Sequence, residues 1–167
     1  MIPQIWAGWL QHGETDGLRG VIDHNRQDVL SLVALAGVLG RAYADPGHEY
    51  ADPLGIARAH RRAGDARQAQ RHLEECGDSL TDEAQLELAT LYARAEHWDK
   101  AVPLWEQLAQ RNVYCAMERL AIYHEHKARD FDRALTWTER MIGHGNDAEA
   151  LTKRRARLLR RRKSGDA

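Results

Sequence analysis

The sequence predicts an all-α fold of antiparallel helix pairs stacked on one another. Three observations carry this. Apolar residues recur at spacings of three and four along nearly the whole chain, the period of a helix rather than a strand. Ala, Leu, Arg, Glu and Gln are abundant while Pro (4) and Phe (1) are scarce, a helix-favouring composition. A pattern of about thirty-two residues repeats through the second half, as stacked helix pairs require.

"IPQIWAGWLQ" is a short helix with Pro3 in its first turn, and "HGETDG" breaks it. A long helix is expected from about Val21 to Tyr43, with Val21, Val29, Leu32, Leu35, Ala36 and Leu39 as its apolar side. "ADPGHEYADP" (44–53) ends it through two Asp-Pro pairs. The chain therefore divides into an N-terminal helical segment, 1–43, and a repeat domain, 44–167.

The repeats emerge on alignment. "IARAHRRAGDARQAQRHLEEC" (56–76) lies against "LATLYARAEHWDKAVPLWEQL" (88–108), so that Ala57 falls on Ala89, His60 on Tyr92, Ala69 on Ala101 and Leu73 on Trp105. A third copy, "LAIYHEHKARDFDRALTWTERMI" (120–142), matches with one extra residue in its turn. Phe131 then falls on Trp98, and Ala134 on Ala101. Small residues let two helices approach, and an aromatic or Leu wedges between them. Such a unit cannot bury its own apolar face, so neighbours must stack. This pattern resembles the tetratricopeptide repeat family over residues 53–142. Gly64, Ala69, Ala101 and Ala134 sit at its small positions, while Glu96 replaces the expected turn glycine. The resemblance implies a right-handed solenoid with a concave binding groove. The alternative, an irregular helical bundle, fits these spacings less well.

The last segment reads as a capping helix, with Asn146 or Asp147 as N-cap and Ala150, Leu151, Leu158 and Leu159 packing inward. Its basic run, Lys153, Arg154, Arg155, Arg157, Arg160, Arg161, Arg162 and Lys163, is either a solvated helix face or a phosphate-binding stripe. Binding through it would be sequence-independent and salt-sensitive. The whole chain is close to neutral, with 24 basic and 25 acidic residues, so no global field demands a polyanion.

The chemistry candidates start at "DHNRQDVLSL". His24 and Asp28 are four apart, on one helix face, and Asp23 and Asn25 are placed to cap a helix start. The local reading is a polar helix N-terminus. In its wider setting, "IPQIWAGWLQHGETDGLRGVIDHNRQDVLSLVALAGVL" resembles the final segment of a bacterial ribonuclease H-like 3′–5′ exonuclease of the DEDD type. In that family the last metal-binding carboxylate stands on a terminal helix, with a Tyr or His one turn earlier to activate water. The resemblance implies Asp28 as that ligand, His24 as the water-activating residue, and Mg or Mn as cofactor of a complete site. The family's other carboxylates stand on a mixed sheet for which this chain has no strands, so no activity is expected of the chain alone.

Two further clusters are weighed. His72 and Cys76, one turn apart, have zinc-ligand spacing, but Cys76 occupies a small buried repeat position and core packing is the expectation. "YHEHKARD" (123–130) lacks metalloprotease spacing and reads as a solvated helix end. Trp98, Trp105 and Trp137 read as packing residues, and Trp6 and Trp9 as packing residues that can form an exposed patch. With two cysteines, no signal-like start and no membrane-length apolar run, the expected setting is the cytoplasm without a membrane partner. Three functions follow. The first is an interaction module that binds a protein or docks its parent exonuclease domain. The second is a nucleic-acid-binding module acting through the basic helix. The third and weakest is residual nuclease activity.

Overall fold

The computed structural model describes residues 2–13, 15–45, 47–49, 51–144 and 148–165. Among them there are helices and turns and no strand. The elements are α1 (Ile2–His12), α2 (Asp16–Ala44), α3 (Pro53–Arg62), α4 (Ala66–Cys76), α5 (Asp82–Arg94), α6 (Trp98–Gln110), α7 (Tyr114–His126), α8 (Phe131–Gly143) and α9 (Ala148–Gly165), with a 3-10 turn at Gly77–Ser79. The chain forms two compact units, Met1–Asp52 and Pro53–Ala167. The N-cap expected at Asn146 or Asp147 lies outside the described residues.

In the first unit α1 packs on α2. The long helix starts at Asp16, not near Val21, so Asp23 and Asn25 are interior residues and cap nothing. In the expected break Gly13 takes φ 68° and Thr15 is also outside the helices, while Gly17 and Gly20 are helical. A glycine inside a helix costs about 1 kcal/mol. At Gly17 the missing side chain is useful: a Cβ there would stand 2.8 Å from Ile5 Cγ2, so glycine lets α1 lie close.

In the second unit each helix packs on its chain neighbours, and α3/α4, α5/α6 and α7/α8 form short-turn pairs. Three turns share one construction. A residue with positive φ (Gly64 at 86°, Glu96 at 61°, Arg129 at 54°) precedes the second helix of each pair. The next N–H reaches back to the first helix, from Asp65 to His60 O, from His97 to Tyr92 O, and from Asp130 to His124 O, each at 2.9 Å. At Gly64 and Glu96 this is the Schellman-type closure, five residues back, that satisfies otherwise orphaned carbonyls. The third turn carries one more residue, and its bond spans six. Asp65 and Asp130 then cap their helices by accepting from the N–H of Gln68 and Arg133, both at 2.9 Å.

The core follows the same period. Ala57, Ala89 and Ala121 are buried, as are Ala69, Ala101 and Ala134, and then Leu73, Trp105 and Thr138. Tyr92 is buried and donates its hydroxyl to Glu74 Oε1 at 2.7 Å. Gly64 differs from the expectation of a packing residue. It is exposed, and the turn's backbone requires it. Phe131 is half-buried against a smaller cluster of Ala134, Leu135 and Leu158. On α9, Leu151 and Leu158 pack inward and Leu159 partly does, but Ala150 faces solvent.

Candidate functional site

His24 and Asp28 lie a third of the way along α2, one turn apart. His24 Nε2 is 3.5 Å from Asp28 Oδ2, with the side chains 77% and 58% exposed. The helix brings the two together as the spacing requires, and both face water. They do not by themselves fit a two-metal centre. Two hard cations need several carboxylates, and no group of three or more His, Cys, Asp or Glu among the described residues is placed to hold a metal.

Around them α2 is open. Ile22, Val29, Leu30, Leu32, Val33, Leu35 and Leu39 are more than half exposed. Val21 alone of the expected apolar side is half-buried, and Ala36 is also exposed. At 3.6 residues per turn these side chains cover roughly more than half the circumference of the helix. At its start, Trp6, Trp9, Leu18 and Ile22 line an open apolar cleft of about 470 Å³, with Trp6 and Trp9 rings 5.0 Å apart.

The basic helix has a different fate from an open stripe. Glu125 on α7 is 2% exposed and sits under α9. It accepts from Arg157 Nε at 2.9 Å and Nη2 at 3.0 Å, from Arg154 Nε at 3.2 Å and from Arg161 Nη1 at 3.2 Å. Burial alone would raise the Glu125 carboxyl. The Arg157 hydrogen bonds and charge, with Arg154 and His126, outweigh it and hold the carboxyl below its ordinary range. Arg155 pairs with Glu139 at 2.8 Å, Arg162 with Asp132 at 3.2 Å and Lys153 with Glu149 at 2.6 Å. Arg160 and Lys163 are exposed on the same helix. Much of the stripe is thus neutralised within the chain, which leaves fewer cations for phosphate.

The expectation of a solvated helix end at "YHEHKARD" is corrected here. His124 and Glu125 are buried and only His126 remains exposed. The segment turns inward because Glu125 meets arginines some thirty residues later in the chain. His124 has neither ring nitrogen satisfied, and His72 lacks a partner at Nε2. Burial, first of all, lowers the affinity of both imidazoles for a proton. His60 adds to this at His72, and at His124 the charges of Asp130, Arg133 and Glu106 partly offset one another. His72 and Cys76 are core residues, and burial raises the Cys76 thiol.

A pH dependence follows. The unfolded imidazoles take up protons near their ordinary value of about 6.5, and the folded ones only at lower pH. Stability is therefore full above about pH 6.5 and falls as pH drops through that value toward the folded pKa. The slope is at most about 1.4 kcal/mol per pH unit for each histidine. Urea midpoints should be lower at pH 5.5 than at 7.5, and His124→Phe should flatten the difference. A midpoint that rises on acidification would contradict the assignment.

Two features escaped the sequence reading. One is the Glu125 hub. The other is a cavity of about 320 Å³ between α5, α6 and α7, lined by Arg94, Trp98, Trp105, Arg119, Tyr123 and Lys127 among others. Its signal was present in the spacing: Arg119, Tyr123 and Lys127 stand four apart, one stripe of α7 and its C-cap.

No known family profile matches the chain. The chain is 32% identical over 177 aligned positions to the uncharacterized protein YprB of Bacillus subtilis (strain 168), an alignment that takes in 96% of this chain and 43% of that protein. The chain spans less than half the length of that relative.

Proposed function

We propose that this chain is a non-catalytic helical-repeat interaction module, the C-terminal portion of a ribonuclease H-like exonuclease. In this reading residues 44–167 form a tetratricopeptide-like right-handed solenoid with a capping helix, and the segment 1–43 completes the nuclease domain. The observation that carries it is the apolar surface of α2 left open beside His24 and Asp28. A helix apolar around so much of its circumference is made for burial, and an exposed patch of this kind marks an interface. The His–Asp pair beside it is the geometry that the resembling exonucleases place on their terminal helix. The thirty-two-residue rhythm of buried alanines and left-handed turn residues supports the repeat reading. The length of the YprB relative beyond the matched part leaves room for a further domain in that protein.

The role assigned to α2 is docking. Its apolar face meets the nuclease domain, and Asp28 and His24 join carboxylates supplied from outside these residues. The repeats, whose groove also suits a protein partner, extend that domain. The test compares two proteins. A longer parent should degrade single-stranded DNA with Mg²⁺ or Mn²⁺ and lose at least about a hundredfold in rate on Asp28→Ala. The present chain should show no such activity. Degradation by the present chain, or full activity of the parent variant, would defeat the reading.

A further inference from the structure

The cavity between α5, α6 and α7 combines three features. Its floor is aromatic: Trp98 and Tyr123 rings are 5.2 Å apart at an interplanar angle of 33°, and Trp98 and Trp105 are 6.5 Å apart. Trp105 is buried, whereas Trp98 and Tyr123 are only half-buried and keep surface toward the cavity. Its rim is cationic. Arg94, Arg119 and Lys127 are exposed there, and no carboxylate lines the cavity. Arg94 and Arg119 make no ion pair with any described residue, unlike most arginines of α9. Lys127 lies 5.4 Å over the Trp98 ring and pairs with the exposed Glu96 at 3.4 Å, a contact that solvent weakens. Finally, the buried Trp105 Nε1–H has no acceptor among the described residues. A buried indole N–H ordinarily has one.

These features select a ligand class. The rim repels cations, so this is not a cage for ammonium groups. Acidic side chains of a peptide would use the rim but not the aromatic floor. An anion that carries a flat π face uses both. A volume of about 320 Å³ suits one such unit rather than a helix.

We propose that this cavity binds one nucleotide of a single-stranded nucleic acid, with the base against Trp98 and Tyr123 and the phosphate against Arg94, Arg119 and Lys127. Stacking accepts every base, so the site is sequence-tolerant. The proposal goes beyond the exonuclease reading and does not depend on it, since the cavity lies wholly within the second unit.

The test uses the full chain and a fluorescent oligothymidylate of about eight nucleotides, followed by anisotropy at low salt. The oligonucleotide is expected to bind, and both Trp98→Ala and Arg119→Glu to weaken it by about tenfold or more. Arg119 is exposed, so Arg119→Glu should leave thermal unfolding unchanged even if Trp98→Ala perturbs packing. Lys163→Glu, on α9, should change affinity no more than about twofold. Absence of binding, or unchanged affinity in Arg119→Glu, would overturn the proposal. So would a larger loss in Lys163→Glu than in Arg119→Glu, or displacement of the oligonucleotide by a Glu-rich peptide at equal concentration.

Discussion

Glu125→Gln is expected to destabilise the second unit by about 2–4 kcal/mol and to lower its Tm by roughly 10 °C. The carboxylate is fully buried at its side chain, and Arg154, Arg157 and Arg161 converge on it, with side-chain exposures of 14%, 45% and 46%. Glutamine keeps the shape and removes the charge. Arg154, the most enclosed, then loses its counter-ion in a poorly solvated place. The other two can turn to water, which is why the expected cost stays below that of a wholly buried triad. The same change removes the main tie between α7 and α9, so hydrogen exchange should quicken in α9 first. Thermal and urea unfolding of the variant measure the effect. A loss under about 0.5 kcal/mol would mean that the hub is a surface network of little weight.

Leu108→Ala and Leu32→Ala should differ sharply although the substitution is the same. Leu108 is completely buried in the main core, so its removal costs transfer energy plus a cavity, about 2–5 kcal/mol. Leu32 is 65% exposed on α2, and its removal should change the stability of this chain by no more than about 0.5 kcal/mol. In a longer parent that covers α2, Leu32→Ala should become costly, by about 2 kcal/mol or more. Urea unfolding of both variants in both proteins gives the comparison. An equal, small effect of Leu32→Ala in chain and parent would show that α2 remains uncovered there.

The all-helical fold and the pairing of adjacent helices were legible in the sequence because they rest on local patterns. Buried alanines at Ala57 and Ala89, and at Ala69 and Ala101, mark close approaches between neighbouring helices. The extra residue in the third turn was legible too, but the left-handed role of Gly64, Glu96 and Arg129 was not. The start of α2 was not. Gly17, in "HGETDG", read as part of a break, but packing of Ile5 over Gly17 outweighs a local penalty of about 1 kcal/mol. Nor was the inward turn of His124 and Glu125 legible. Polar residues at a helix end read as solvated until their partners are known, and the partners of Glu125 lie 29 to 36 residues away.

By itself the sequence determined that the chain is helical, that adjacent helices pair, and that His24 and Asp28 share a face, since these depend on contacts within a few residues. Only the tertiary structure decided which polar groups are buried and which charges cancel. Desolvation and ion pairing depend on what a distant segment brings alongside. The basic run of α9 is the clearest case. As a sequence it is a stripe of free charge, and in the fold much of it is bound to carboxylates of α7 and α8.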